Sequence, residues 1–316
     1  MPMPLATQKV VAFVWDFDRT LIPGFMEEPI FAAYGVDADE FWAEVDGLGE
    51  YYARQGVRTQ RDVAYLLHLL TYVQEGIFPD LSNDRLRALG GLLEPALGMP
   101  EFMQTSKDRV AEIPEFVEAG IEVEHYVVST GIRSLIEGSV FAPYLDGIWA
   151  NTLIETPAPP GYLGRLPVGV DPAPVTRVGY AIDDTSKTRA LFEINKGANR
   201  DPDLDINARV AQDQRRVPLR HMIYVADGPS DVPCFSILNA NGGKTLGVYT
   251  TEPNDNYREV RRLQDQGRIQ GIAEADYRPG RAAHGWLMDG LEQIGHEIVE
   301  ARRQAFSGDP DPTRDD

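Results

Sequence analysis

Cysteine is almost missing from this chain. Cys234 is the single one among 316 residues, which excludes an intramolecular disulfide and any metal centre built from several thiolates. It also points to a reducing compartment. Long apolar runs are missing too. Val10–Trp15 falls well short of the ~18 residues that a membrane helix needs, and Met1–Gln8 lacks the basic-then-apolar pattern of a signal peptide. A cytoplasmic location and no membrane partner are therefore expected. Cations are scarce: 30 Lys and Arg stand against 49 Asp and Glu, a net charge of -19. Such a balance disfavours nucleic acid, whose phosphates are bound by clustered cations. A small phosphorylated substrate is still allowed, because one pocket can be positive within a negative protein. The oligomeric state is not legible.

What is present reads as an α/β chain. Val10–Trp15 is continuously apolar and ends in Asp16, the signature of a strand buried on both faces of a parallel sheet. Residues 125–128, 147–150, 221–226 and 245–249 read as further strands. Helical spacing marks 110–119, the stretch after Ile132, 185–195, 232–238 and 280–306. Between Met26 and Ser106 helical spacing dominates, which predicts an all-helical insertion. The expected organisation is an α/β core over 1–24 and 107–307, a helical cap over 25–106, and a disordered acidic tail over 308–316. Residues 157–174, rich in Pro and Gly, predict an irregular loop. The polar segment 195–216 predicts a surface excursion, without a reason for its charge.

Ligands of such sheets bind at the carboxyl ends of the strands, and polar residues cluster there. The first strand ends in Asp16-Phe-Asp18-Arg-Thr20. The strand at 126–128 runs into Ser129-Thr130-Gly131, a hydroxyl beside a helix start that suits an anion. Lys187 falls in the first turn of a helix, where the helix dipole gives a cation no benefit; Lys196 is its competitor. The strand ending at Ala226 delivers Asp227-Gly-Pro-Ser-Asp231. Together these supply hard oxygen ligands, a nucleophile, a hydroxyl and a cation, a set suited to Mg2+ and phosphoryl transfer.

These four motifs, in this order, resemble those of the haloacid dehalogenase superfamily, with a Rossmann-like parallel core over roughly residues 10–250. A cap between the first two motifs resembles the C1-type caps of its phosphoserine phosphatase-like branch. The resemblance implies a Mg2+-dependent phosphatase acting on a small phosphomonoester. Asp16 would be the nucleophile that forms an aspartyl-phosphate. Asp18 would be the acid and later the base, kept protonated at first by neighbouring like charges. Thr20 would support the loop, and Ser129, with Thr130 and Gly131, would bind the phosphoryl group. Lys187 would offset negative charge. Asp16, Asp18 through its backbone carbonyl, and Asp227 would hold the metal, with Asp231 behind it or joined through water.

Asp18 speaks against a dehalogenase, since halide needs no proton. A phosphomutase, or a non-catalytic binding protein that kept the fold, are the other readings. Phosphoserine phosphatases carry an acid shortly after this motif to hold the substrate amine; here Glu27 and Glu28 come later, and either could serve. His68 reads as packed and Cys234 as a buried structural thiol. Arg54, Arg58 and Arg61 fit a solvated cap face or a substrate contact. Pro23-Gly24 and Gly98–Pro100 are the expected hinges of a closing cap.

Overall fold

Strand β1, Val10–Trp15, is apolar throughout because it is sandwiched. Val11, Phe13 and Trp15 enter one hydrophobic layer, and Val10, Ala12 and Val14 enter the other. The computed structural model describes residues 8–164, 172–201, 203–251 and 255–307; the expected tail at 308–316 lies outside them. After β1 come α1 (Glu28–Tyr34), α2 (Ala38–Ala53), α3 (Arg61–Gln74), α4 (Asn83–Gly90), α5 (Glu101–Glu112) and α6 (Pro114–Ala119). The chain continues through β2 (Glu122–Ile132), α7 (Arg133–Gly138), β3 (Gly147–Ile154), β4 (Arg177–Tyr180) and α8 (Lys187–Lys196). It ends with β5 (Met222–Ala226), α9 (Val232–Ala240), β6 (Lys244–Tyr249), α10 (Tyr257–Asp265), β7 (Gly271–Glu274) and α11 (Ala282–Ser307).

The seven strands form one sheet in the order β4-β3-β2-β1-β5-β6-β7, parallel except for the edge pair β3–β4. The chain winds outward from β1 through β2 and β3, then returns to β5 on the other side of β1. That reversal opens a crevice at the carboxyl end of β1, where open α/β sheets bind ligands. Helices α8, α9 and α10 cover one face through Leu191, Phe235 and Val260. The other face carries α5, α7 and α11, through Phe102, Leu135 and Leu291. The expected α/β core with inserted helices is therefore observed.

The expected boundary between cap (25–106) and core (107–307) falls inside a helix. Helix α5 is unbroken across residues 106 and 107 and packs on β2 and α11. Helix α4 packs on α7, at a crossing where a Cβ on Gly90 or Gly138 would overlap backbone of the partner helix. Helix α5 thus packs directly on the sheet, and α4 joins it through α7. Helical spacing reports that a face is buried, not what buries it. Helices α1–α3 remain as the cover over the carboxyl edge, packing Phe31, Phe41 and Leu69 into the same hydrophobic cluster as β1. Asp37 caps α2 by accepting from the Glu40 N–H at 3.0 Å.

The charge of segment 195–216 has a structural cause. Arg200 reaches Glu124 at 3.0 Å and Asp146 at 2.8 Å, and Arg216 also binds Glu124, pinning the excursion to the amino end of β2. Burial alone would raise the Glu124 carboxyl; hydrogen bonds from Arg216 and Tyr126 hold it below the usual range instead. Lys196 serves the same segment, donating to the carbonyls of Ile206 and Ala208.

His125 sits under the sheet, fully buried between Trp15 and Ser106. Its Nδ1 accepts from the Trp15 indole at 3.2 Å, and Nε2 faces the Met103 carbonyl at 3.1 Å. One ring nitrogen must therefore stay unprotonated. Burial, with the Lys107 ammonium nearby, pushes its pKa down to about 3. The unfolded chain takes up this proton first, so the stability is present above the unfolded value of ~6.5 and is lost as pH falls towards about 3. By pH ~4.5 this one site is expected to cost roughly 2–3 kcal/mol. Urea unfolding at neutral and acid pH should show a smaller pH dependence in His125→Gln; parallel curves would refute the assignment.

Candidate active site

Hydrogen bonds close the loop after β1 on itself. The Asp16 N–H donates to the Val225 carbonyl at 2.9 Å, tying the nucleophile candidate to β5. The N–H groups of Thr20, Leu21 and Ile22 all converge on the Phe17 carbonyl, and Arg19 donates its N–H to Gly24 at 3.1 Å. This closure forces Arg19 to φ +51°, a left-handed conformation that costs a side-chain-bearing residue roughly 1–2 kcal/mol. The Tyr277 hydroxyl donates to the Thr20 carbonyl at 2.9 Å, while the buried Thr20 Oγ1 has no hydrogen-bond partner among the described residues.

Lys187 opens α8 and is 1% exposed. Its Nζ lies 3.0 Å from Asp16 Oδ1 and 2.8 Å from Asp231 Oδ1. Burial would lower the Lys187 pKa, but the two carboxylates outweigh it, and the ammonium is held charged. Of the two lysines considered, Lys187 is therefore the one at this site. Asp231 has both oxygens engaged: Oδ1 also accepts from the Tyr224 hydroxyl at 2.6 Å, and Oδ2 from Ser230 Oγ at 2.9 Å. Asp227, at the end of β5, receives Arg19 at 2.8 Å and Asn256 at 3.1 Å on Oδ2.

Asp16, Asp227 and Asp231 are all buried, and one carboxylate oxygen of each lies within 4.8 Å of the others. Burial lifts Asp16 to about 6 despite Lys187 and lifts Asp227 to about 8. Asp18 is raised well above the carboxylate range by burial and by the charges of Glu27 and Asp16; its Oδ1 accepts from the Met26 N–H at 2.9 Å. Crowded, buried carboxylates with hard oxygen donors fit a small divalent cation, whose charge would reverse the shifts of Asp16 and Asp227.

Ser129 requires a correction. It was expected beside a helix start, but β2 runs on to Ile132, and α7 begins only at Arg133. The Ser129 hydroxyl, 2% exposed, accepts from the Gly131 N–H at 2.9 Å within this irregular strand end. Thr130 presents its carbonyl to the Tyr65 hydroxyl at 2.7 Å and to Asn151, and Gly131 packs against Met26. The mistake has a local cause. Ser-Thr-Gly is both a helix-cap signal and a tolerable strand end, and only the pairing of β2 with β3 chooses between them.

A cavity of about 310 Å³ lies beneath the cover, lined by Asp18, Glu27, Trp42, Tyr65, Thr130 and Gly131. Glu27 is buried at its wall, and burial raises its pKa to about 7. Glu28 bonds the Phe25 N–H at 3.1 Å instead. Arg61 reaches the cavity rim beside Asp46, whereas Arg54 pairs with Glu50 on the surface. His68 packs among Phe41 and Tyr72 and meets Glu44 at 2.6 Å. Cys234 is buried with its thiol pushed up to about 12, as an inert structural cysteine would be. Among the described residues no helix is long and apolar enough to cross a membrane. Arg19, Tyr224, Asn256 and Tyr277 went unassigned from the sequence. Arg19 stood inside the first motif and could have been noticed; the other three reach the site only through folding.

No protein-family model matches the chain. Solved structures similar to it include a probable phosphoserine phosphatase from Vibrio cholerae, with 15% identity, 93% of this chain and 67% of that one covered, and a TM-score of 0.49. A HAD family hydrolase from Salmonella enterica subsp. enterica serovar Typhi is similar at 13% identity, over 86% and 68% of the two chains, with a TM-score of 0.48. A phosphoserine phosphatase in a phospho-aspartyl intermediate analogue form gives 16%, 84% and 93%, and 0.46. The strand order and the gathering of Asp16, Lys187, Asp227 and Asp231 at one sheet edge define this chain's class: a mostly parallel α/β fold with a helical cover over a buried acidic cluster. Within that class the chain belongs to one family with an uncharacterized protein of Borreliella burgdorferi. The two are 36% identical over 287 residues, spanning 89% of this chain and 96% of the other.

Proposed function

We propose that the chain is a Mg2+-dependent phosphatase that hydrolyses a small phosphomonoester through an aspartyl-phosphate on Asp16. The observation that carries this reading is Lys187 Nζ set between Asp16 and Asp231, with Asp227 completing a buried acidic cluster. A cation fixed on a buried carboxylate at a strand end keeps that carboxylate ionised and ready to attack phosphorus.

In the first half-reaction a carboxylate oxygen of Asp16 bonds to phosphorus as the bond to the leaving alkoxide breaks. Asp18, raised well above the usual range, gives that alkoxide its proton. In the second half Asp18, now ionised, takes a proton from water as the water oxygen attacks phosphorus, and Asp16 is released with inorganic phosphate. Lys187 holds Asp16 in place and balances charge at each stage, and the Ser129 hydroxyl lies on the neighbouring strand end to receive a phosphoryl oxygen. Asp16, Asp227 and the Asp18 carbonyl would hold Mg2+, which supplies Lewis-acid neutralisation of the transferring group. The cavity, about 310 Å³ and lined by Trp42, Tyr65 and Glu27, suits a small leaving group that is neutral or cationic. Helices α1–α3 exclude water from the site, and the bonds of Gln60 to Asp183 and Tyr65 to Thr130 hold them over it.

The test is phosphate release from a panel of phosphomonoesters, with Mg2+ and with chelator. Turnover that requires the metal and favours small alcohol phosphates is expected. A folded, metal-loaded chain that turns over nothing, a generic aryl phosphate included, would sink the enzyme reading.

A further inference from the structure

The acidic cluster is served by two cations of different character. Lys187 is 1% exposed and locked between Asp16 and Asp231. Asp227 pairs instead with Arg19, whose guanidinium is 2.8 Å from Oδ2. The Arg19 side chain is 24% exposed, so it stands at the mouth of the site and not in its floor. Its other side lies over the Phe25 ring, 5.3 Å from the centroid, a stacking that holds a guanidinium weakly and in several orientations. The backbone beneath it is held left-handed by the closed loop, and this aims the side chain back over the acidic cluster. Asn256 also steadies Asp227, donating to its carbonyl at 3.0 Å as well as to Oδ2.

From this we propose that Arg19 is a tethered stand-in for the metal. It neutralises Asp227 when no ion is bound and is displaced from that carboxylate when Mg2+ enters, so Arg19 sets the metal affinity of the site. The inference rests on the reading of this cluster as a divalent-cation site. Its physical basis is competition: a guanidinium and a small hard cation seek the same carboxylate, and two positive charges so close repel each other. Phe25 gives the displaced guanidinium a place to rest within the mouth. The arrangement keeps the free enzyme stable at the expense of metal affinity.

The experiment is calorimetric titration of MgCl2 into the parent, Arg19→Gln and Arg19→Gly, with melting temperatures in chelator and in saturating Mg2+. Glycine suits the left-handed backbone, so the second variant keeps the loop if the first distorts it. Both variants are expected to bind Mg2+ roughly tenfold more tightly than the parent. Arg19→Gln should also melt lower than the parent in chelator, with the gap closing in saturating metal. Unchanged or weaker Mg2+ binding by both folded variants, with the parent binding normally, would overturn the role of Arg19 and leave the phosphatase reading standing. A parent that binds no Mg2+ would overturn both.

Discussion

Asp16→Asn is expected to lower phosphate release by roughly 10⁴–10⁶-fold, the scale seen when a covalent nucleophile is removed from a site that otherwise stays intact. The amide has nearly the shape of the carboxylate but no charge to attack phosphorus. The fold should survive the change. Asp16 is lifted to about 6 by burial and by the nearby Asp231 charge, so its ionised form is under strain in the metal-free protein. Lys187 keeps Asp231 as a partner at 2.8 Å. The variant should therefore melt close to the parent. The measurement is metal-dependent phosphate release at matched concentrations, with circular dichroism to establish folding. Activity that persists in a folded Asp16→Asn would mean that another group is the nucleophile, and the proposed mechanism would fall.

Lys187→Met should act on stability and on turnover together. Methionine fills most of the space of the buried lysine stem, so the packed volume is little changed and the charge is what is lost. Two buried carboxylates are then left facing each other. Breaking a buried ion pair from one side costs roughly 3–5 kcal/mol, which chemical denaturation can measure. Asp231→Asn added to Lys187→Met should recover part of that loss, because it removes one of the stranded charges. Turnover should fall by roughly 10²–10³-fold, the scale of losing one electrostatic contact to the transferring group. A Lys187→Met chain as stable and as active as the parent would show that the lysine is not the charge partner of this site.

Much of the site was legible because its residues follow strands that announce themselves. Val10–Trp15 matches β1 end to end, so the position of Asp16 followed from hydrophobic pattern alone. The strand before Asp227 was as clear, and in parallel sheets the carboxyl ends collect at one edge. Strand β4, a four-residue edge strand with a glycine, and strand β7 were not legible, because so few residues carry no usable period. Helix α10 was hidden by its charge, with only Val260 and Leu263 buried. The extent of the cap is not legible for a different reason: α4 and α5 show the same helical spacing as α1–α3, and only their packing, α5 on β2 and α4 on α7, tells them apart.

The sequence by itself determined the identity and order of the chemical groups: two aspartates after β1, a hydroxyl after β2, a lysine at a helix start and two aspartates after β5. Local hydrophobic pattern fixes strand ends, and strand ends fix which side chains reach the edge of the sheet. The tertiary structure decided which of those groups touch. It chose Lys187 over Lys196, bound Asp231 on both oxygens, took Ser129 into a strand, and set Arg19 against Asp227. These are contacts between residues distant along the chain, made in a low-dielectric interior where burial and a few ångströms fix the charge states.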